Sequence, residues 1–506
     1  KMGELRFIRA KLNIIIPFAC QIATIVCGFL LPRLLIRHYG SEPYGATASI
    51  TQFLSYIALL EGGIGGVARA ALYKPLAENN IVQISAIFHE IKRFFNVIGF
   101  IFLAYVIFLA FNFNKIADIN CFDETTTILL VFSISISLFG QYFIGISNAV
   151  LIEASQRQYI SNLINVSTMI FNTIMTIILV SLNCSLIAVK LASSLVYFVR
   201  PILLSLYVRH HFTLTKARGG DSEALKQKWD GLGQHIAYFL HSNTDVAIIT
   251  IFSNLTLVAV YSVYNMVISA VQSLTISFVA GMEALFGDML ARRELNLLHK
   301  MFDYYEMLIS FTSLTMYGTL VAMIVPFVRV YTFNINDADY IAPIFSFILS
   351  ISSLLYCLRT PYHAMVIAAG KFKETRIAAY GEAAINVILS IILVKQFGLI
   401  GIAIGTAVAV FFRLVYYVFY LSRQVFYRKV GCLIKRSLVN TIGFVAIFIL
   451  ASYGLSMFTI DTYVHCFAAA VFISIIAFIV AFIINYMFYK SVCVEFINTV
   501  LRKYRK

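Results

Sequence analysis

ISNLINVSTMIFNTIMTIILVSLNCSLIAVKLASSLVYFVRPILLSLYV, residues 160–208, decides the fold of this chain, because it holds two long apolar runs with one polar break between them. The hydrocarbon core of a bilayer is about 30 Å thick and is crossed by about 20 apolar residues in a helix. The runs 160–182 and 184–208 are both long enough, and Asn183 separates them. Lipid offers no partner to backbone N–H and C=O groups, so helices satisfy them most simply. The stretch predicts two consecutive transmembrane helices joined by a tight turn.

The same pattern extends along the 506 residues on both sides of this pair. Hydrophobic residues make up 60% of the chain and charged residues 12%, whereas a soluble domain is nearer about half apolar and about a quarter charged. We therefore predict an all-α polytopic membrane protein with about fourteen transmembrane helices. The predicted spans are 12–35, 45–68, 94–114, 125–150, 160–182, 184–208, 231–254, 255–288, 304–331, 341–369, 377–397, 398–422, 438–460 and 463–489.

The basic residues indicate how the chain is oriented. With the N-terminus placed inside, the inner loops hold about thirty of the 39 Lys and Arg residues and the outer loops about four. This asymmetry follows the positive-inside rule and predicts that both termini are cytoplasmic. The net charge of +15 is spread over short loops and is not clustered on one helix. The charge is therefore a signal of topology, and we expect no nucleic-acid partner.

A weak internal repeat relates the two halves of the chain. A shift of 214 residues lays TIILV (Thr176–Val180) on SIILV (Ser390–Val394), and Asn172 on Asn386. Shifts of 215 and 213 lay residues 149–152 on residues 364–367, and residues 198–200 on residues 411–413. An even number of helices per copy predicts two six-helix lobes in the same orientation. The predicted division is 1–213, 214–430 and, for the last two helices with a basic cytoplasmic tail, 431–506.

Three motifs carry a resemblance to a known family. They are HYGSEPYGATASI (His38–Ile50), LLEGGIGGVARAALYKPLA (Leu59–Ala77) and AVYSVYNMV (Ala259–Val267). With the arrangement of six, six and two helices, the chain resembles Wzx-type polysaccharide-biosynthesis flippases of the multidrug/oligosaccharidyl-lipid/polysaccharide (MOP) exporter superfamily. These proteins are similar in fold to the multidrug MATE exporters and the lipid II flippases.

The resemblance implies a function, a location and partners. The expected function is transfer of an undecaprenyl-diphosphate-linked oligosaccharide, the repeat unit of a surface polysaccharide such as O-antigen or capsule, from the inner to the outer leaflet. The expected mechanism is alternating access in the bacterial inner membrane, driven by an ion or by the membrane potential. The expected partners are membrane lipids and the polysaccharide polymerase machinery, and the expected state is a monomer.

Basic residues inside apolar runs are the candidates for binding the anionic head group. A charge at the bilayer centre costs at least about 2.5–3.5 kcal/mol, so such residues are functional candidates, and the planar fork of arginine suits phosphate oxygens. Residues near helix ends can instead snorkel to the interface, and the deeper ones can form salt bridges between helices. Arg33, Arg329 and Lys190 are near helix ends, and Arg200, Arg359 and Arg413 are deeper.

Acidic and polar residues in other runs are candidates for a coupling cation. His241 and Asp245 are four residues apart, as are Glu382 and Asn386, so each pair shares a helix face. Thr406 could add an oxygen to the second pair. The resemblance implies a coupling cation here, Na⁺ or H⁺, and no other metal or cofactor; the alternative is a buried network that pairs Asp245 or Glu382 with an arginine.

The segment after Glu61 is a candidate for a bend or a gate. Gly62, Gly63, Gly65 and Gly66 follow it, and glycines permit a bend or a close helix contact.

Two other classes of function are alternatives to the flippase. A MATE-like cation or drug antiporter would need an acidic cavity. An enzyme is not expected, because the short outer loops offer no paired carboxylates and no Ser/His/Asp arrangement. A GxxxxGK[ST] phosphate loop is also absent from the sequence.

Overall fold

The computed structural model of the chain describes residues 2–61, 64–117, 119, 121–215, 232–277, 282–425, 430–456, 458–488 and 490. Within this part of the chain the regular elements are all helical. The chain folds into two compact units, Lys1–Ala259 and Val260–Lys506. The structure therefore confirms the predicted all-α class.

The first unit holds nine helices and the start of a tenth, and two of its predicted spans contain irregular turns. The second predicted span consists of two α-helices with a 3₁₀ segment (Tyr56–Glu61) between them, and the fourth contains a π-helical segment (Gln141–Gly145). The helices are α1 (Met2–Tyr39), α2 (Ser41–Ser55), α3 (Ile64–Ala77), α4 (Ile81–Ala117), α5 (Glu124–Gly140), α6 (Ile146–Ala154), α7 (Gln158–Ser181), α8 (Leu186–His211), α9 (Leu232–Phe252) and α10 (Leu255–Ser277).

The second unit contains the rest of α10 and seven further helices. Two of them, α14 and α15, are joined by a tight turn at Gly398, whose φ of 55° falls in the left-handed region that favours glycine. The helices are α11 (Met282–Ala291), α12 (Leu295–Tyr331), α13 (Pro343–Ala368), α14 (Phe372–Phe397), α15 (Leu399–Gln424), α16 (Val430–Leu455) and α17 (Tyr463–Phe488).

Every predicted span lies on at least one helix. In the described residues, eleven helices are long and apolar enough to cross a membrane, or twelve if the bent pair Ser41–Glu61 and Ile64–Ala77 is one span. In α9 and α16 the qualifying stretches are shorter, Asn243–Phe252 and Asn440–Leu455. The predicted span 255–288 lies on both α10 and α11.

The helices expose many large apolar side chains and bury some polar ones, a pattern that a soluble protein does not show. On α17, Val464 and Phe467 are exposed, whereas Ala469, Ala477 and Ala481 are buried. Large side chains of this helix therefore face outward and small ones face its neighbours, α12 and α16. Small residues at helix contacts and large apolar residues outside are typical of membrane helices. The chain is a multi-pass membrane protein.

The two units share a local arrangement of helices. In the first unit α8 packs against α5 and α7, and in the second α15 packs against α13 and α14. Helices α8 and α15 each have 26 residues, and Arg200 and Arg413 are the fifteenth residue of their helices. This agreement supports the repeat found in the sequence, while the lobe boundaries at 213 and 430 stay predictions.

Candidate functional site

A polar cavity of about 330 Å³ lies within the first unit. The 3₁₀ segment, α5, the π-helical segment, α6 and α8 form its walls. It contains the guanidinium of Arg200, two carboxylates and several groups that can form hydrogen bonds. The lining residues are Glu61, Ser137, Gln141, Gly145, Ile146, Ala149, Val150, Glu153, Tyr197, Arg200, Pro201 and Leu204.

Arg200 is the basic residue among those that line this cavity. It is half-buried on α8 and interacts electrostatically with Glu153 and Tyr197. Glu153 accepts a hydrogen bond of 2.7 Å from Nη1 of Arg69. Glu153 therefore lies between two arginines. Arg200 lines this cavity, and its role in binding a head group stays a prediction.

The π-helical segment brings the cavity wall close to α8. A Cβ at Gly140 would lie 2.6 Å from Cδ2 of Phe198, and a Cβ at Gly145 would lie 3.2 Å from Cβ of Pro201. The absence of a side chain at these two glycines allows α5 and the π-helical segment to approach the part of α8 that carries Arg200. Single-turn π segments inside α-helices are frequent at functional sites.

Glu61 closes another side of the cavity. Its Oε1 accepts a hydrogen bond of 2.7 Å from the hydroxyl of Tyr142. The chain bends by 46° between Ser41–Glu61 and Ile64–Ala77, and added Cβ atoms at Gly65 and Gly66 would meet nothing within 4 Å. Gly62 and Gly63 lie outside the described residues. A bend is therefore present at the predicted position, and its role as a gate stays a prediction.

In the second unit, three charged side chains meet in the protein interior. Nη1 of Arg359 on α13 donates to Oε1 of Glu382 on α14 at 2.5 Å, and Nη1 of Arg413 on α15 donates to Oε2 of the same residue at 2.5 Å. All three side chains are 5% exposed or less. We call this group the buried triad; it carries two positive charges and one negative charge.

Aromatic side chains surround the buried triad. The guanidinium of Arg359 lies 4.6 Å from the ring centroid of Tyr356, and that of Arg413 lies 5.1 Å from the centroid of Tyr417. Nε of Arg413 also donates to the Tyr417 hydroxyl at 2.9 Å, and the Tyr417 ring stacks on His363. Cation–π contacts stabilise desolvated guanidinium groups by about 2 kcal/mol.

Around Glu382, the residues predicted to hold a coupling cation are bonded to other protein groups. Both carboxylate oxygens of Glu382 accept from arginines, and Oδ1 of Asn386 accepts from Ser390 and Thr406. Two guanidinium groups beside the carboxylate would repel Na⁺. At Glu382 the structure therefore contains the alternative weighed for this residue, the buried network with arginine.

The other predicted site residues are dispersed. Asp245 is buried on α9 in the first unit, and the side chain of His241 lies outside the described residues. Lys190 and Arg33 are half-buried, and Arg329 is exposed near the end of α12. None of these three is among the residues that line the described cavity.

Sequence reasoning missed several residues of the cavity, above all Glu153, Tyr197 and Gln141. The acid in AVLIEA (Ala149–Ala154) was a usable signal, because it ends an apolar run in the same way as the basic residues that were singled out. Tyr197 and Gln141 had no comparable signal, since tyrosine and glutamine occur commonly near helix contacts.

No family model matches the chain, and no curated protein matches it significantly. Solved structures do match. The chain is similar to the lipid II flippase MurJ in an inward closed conformation, with a TM-score of 0.70 and 16% identity over 95% of this chain and 99% of that chain. It is also similar to an inward-facing multidrug resistance MATE family transporter of the MOP superfamily, with a TM-score of 0.60 and 15% identity over 81% of this chain and 98% of that chain.

A third similar structure is the MATE multidrug transporter DinF-BH in complex with R6G, with a TM-score of 0.60 and 14% identity over 83% of this chain and 97% of that chain. At these identities the likeness concerns the fold and leaves function to the site. The chain is therefore a multi-pass membrane protein with the fold that MurJ and the MATE transporters share.

Proposed function

We propose that the chain is a flippase that moves a lipid-linked oligosaccharide diphosphate from the inner to the outer leaflet of a bacterial cytoplasmic membrane. The observation that carries this proposal is Arg200, a guanidinium that lines a polar cavity within a membrane-spanning unit. The fold shared with the lipid II flippase MurJ supports it. The motifs that resemble Wzx-type proteins favour a surface-polysaccharide repeat unit, which a membrane polymerase would then receive.

The groups around Arg200 suit a sugar diphosphate. The fork of an arginine can bind two phosphate oxygens at once, and Ser137, Gln141 and Tyr197 offer hydroxyl and amide groups to sugar hydroxyls. The cavity volume of about 330 Å³ is at the lower end of the range of about 300–1,000 Å³ for small-molecule sites. It would hold part of the head group while the hydrocarbon tail stays in lipid.

The proposed driving force is the membrane potential, acting through alternating access. Moving one charge through the full field changes the free energy by about 2.3 kcal/mol per 100 mV. At about 100 mV, negative inside, a diphosphate with about two charges would gain about 4–5 kcal/mol on moving outward through the full field. This proposal needs no bound cation at Glu382, whose carboxylate already has two guanidinium partners.

A MATE-like cation exporter is the second candidate, and the two carboxylates in the same cavity favour it. Glu61 and Glu153 both line the cavity and could attract an organic cation. Glu153 is paired with Arg69, however, and Glu61 already accepts from Tyr142. Both carboxylates therefore already have partners, and Arg200 also interacts with Glu153.

The test is flipping in proteoliposomes of a fluorescent polyprenyl-diphosphate sugar, measured with a leaflet-selective reagent. Arg200→Ala should lower the rate about tenfold or more, because a hydrogen bond to a charged group is worth about 1.5–3 kcal/mol. Arg157→Ala is the matched control: this half-buried arginine of the same unit bonds Tyr207 and lies outside the cavity lining. Efflux of a cationic dye is measured in parallel.

The two candidates give opposite results. A flippase loses lipid flipping in Arg200→Ala and shows no dye efflux that depends on Glu61 or Glu153. If dye efflux is robust and is lost in Glu61→Gln and Glu153→Gln, while lipid flipping is absent from the wild type, the cation exporter is correct.

A further inference from the structure

The internal repeat allows the two units to be compared residue by residue. Arg413 corresponds to Arg200, since each is the fifteenth residue of its helix. The shift of 214 that lays Asn172 on Asn386 places Glu382 opposite Thr168, a buried threonine on α7. The first unit therefore has no carboxylate at this position, and its arginine lines a cavity, whereas in the second unit the carboxylate meets the arginine.

The second unit also has an additional arginine. The shift of 215 that relates residues 149–152 to residues 364–367 places Arg359 opposite Ile144. Arg359 and Arg413 approach Glu382 from different helices, and each takes one of its two oxygens. Guanidinium groups bind carboxylate and phosphate oxygens with the same N–H donors.

The charges of the buried triad do not balance. One carboxylate neutralises one of the two guanidinium groups, so an excess positive charge remains among side chains that are 5% exposed or less. A buried charge is costly unless it is paired. A group with two negative charges, such as a diphosphate, would match the pair of arginines better than one carboxylate does.

Among the described residues, the two arginines use only part of their hydrogen-bond donors. A guanidinium has five N–H donors. Among the described residues, the side chain of Arg359 donates to Glu382, and that of Arg413 donates to Glu382 and Tyr417. A buried ion pair contributes little net stability, because desolvation offsets the attraction. Stability alone therefore does not account for two deeply buried arginines with donors to spare.

The helix that carries Arg359 has a built-in point of flexibility beside it. Pro361 lies inside α13 and has no N–H to donate to the carbonyl of Cys357. The hydroxyl of Thr360 donates to that carbonyl instead, at 2.5 Å. Proline positions are where helices bend, so α13 can move near Arg359 without losing a backbone hydrogen bond.

We propose that Arg359 and Arg413 form a phosphate-binding site, which Glu382 occupies in this conformation as an internal substitute for the ligand. A phosphate or diphosphate group displaces the carboxylate when α13 bends at Pro361. The buried triad is then the closed form of a second anion site, and the cavity at Arg200 is its open counterpart in the first unit. This inference rests on the proposed function only for the source of the phosphate, a lipid-linked sugar.

The experiment measures thermal unfolding of the purified full-length protein with inorganic pyrophosphate, against sodium sulfate at equal ionic strength. Glu382→Gln removes the competing charge and retains the size of the side chain. Its melting temperature should rise by about 2 °C or more with saturating pyrophosphate, whereas that of the wild type should rise less. Glu374→Gln is the matched control, because Glu374 lies on the same helix in an exposed ion pair with Lys371; it should respond like the wild type.

Further variants keep the result decisive. Glu382→Gln combined with Arg413→Met should lose the response, since one of the two guanidinium groups is gone. If Glu382→Gln does not fold, Glu382→Asp replaces it: the shorter carboxylate cannot reach both arginines, so pyrophosphate should still raise the melting temperature above the wild-type response. Equal responses in wild type, Glu382→Asp and any folded Glu382→Gln would overturn the proposal, even if lipid flipping is found. A response without lipid flipping would support the anion site and contradict the proposed substrate.

Discussion

At the scale of single residues, the three side chains of the buried triad require one another to be stable inside the protein. Glu382 bonds both arginines and neutralises one of their two positive charges, and the two arginines satisfy its two oxygens. Removal of Glu382 leaves two uncompensated buried guanidinium groups, which is far more costly than the pair is worth. The stability of the triad is therefore a property of the three residues together.

This requirement gives a prediction for stability. Glu382→Leu should destabilise the protein by about 3–5 kcal/mol, whereas Arg359→Met, Glu382→Leu and Arg413→Met together should be near neutral, because apolar side chains of similar size replace all the charges. Thermal unfolding of the two purified variants beside the wild type measures the difference. A triple variant as unstable as the single one would show that the charges themselves hold the helices together.

The sequence was sufficient to find these arginines and insufficient to find their partners. A charged residue in an apolar run is rare, so the sequence alone identifies Arg200, Arg359 and Arg413 as candidates. The contacts from Glu382 to Arg359 and Arg413 join residues 23 and 31 positions apart on three helices. Such contacts depend on how the helices rotate and pack, and the sequence offered a coupling cation and an arginine network as equal explanations for Glu382.

At the scale of helices, the contact between α14 and α15 depends on glycine. A Cβ at Gly405 would lie 2.3 Å from Oγ and 2.9 Å from N of Ser390, and 3.2 Å from O of Asn386. The backbone atoms of α14 cannot move away without a shift of the whole helix. Gly287, on α11, has nothing within 4 Å of an added Cβ.

These two glycines make a matched pair of variants. Gly405→Ala should destabilise the protein by about 1–3 kcal/mol, because it forces α14 and α15 apart. Gly287→Ala should leave stability unchanged or raise it by about 0.5–1 kcal/mol, since alanine favours the helix. Melting temperatures of the two purified variants decide: equal losses would mean that helix propensity, and not the close contact, governs both positions.

Hydrophobic runs predicted the membrane-spanning parts of the helices and missed their extensions. Helix α4 begins at Ile81 and α12 at Leu295, whereas the apolar runs predicted 94–114 and 304–331. Each helix has 37 residues, about 55 Å in length, and exceeds a bilayer core of about 30 Å. The extensions carry charged residues such as Lys92 and Asp303, so a search for apolar segments stops before them.

The π-helical segment at Gln141–Gly145 was also missed, because its residues are ordinary for a membrane helix.

At the scale of the whole molecule, the sequence predicted more than the helices. The alternation of basic and acidic loops predicts an orientation for every span. The weak repeat relates α8 to α15, and these two helices contact corresponding neighbours. Both signals are sums over many residues, and a few errors at helix ends leave them unchanged. The predicted orientation depends on how Lys and Arg are distributed between the loops on the two sides of the membrane.

Two tight turns offer a direct test of that orientation. Gln156 lies between α6 and α7, and Asn183 between α7 and α8; both residues are exposed and have positive φ angles, of 60° and 55°. If the N-terminus is cytoplasmic, the turn at Gln156 faces the cytoplasm and the turn at Asn183 faces outward.

Gln156→Cys and Asn183→Cys are made in a chain whose eight native cysteines are replaced. A membrane-impermeant maleimide added to intact cells should label the cysteine at 183 and spare that at 156, and permeabilised cells should label both. Because one helix, α7, separates the two turns, a reversed pattern would invert the whole topology, place the basic loops outside and contradict the orientation predicted from the basic residues.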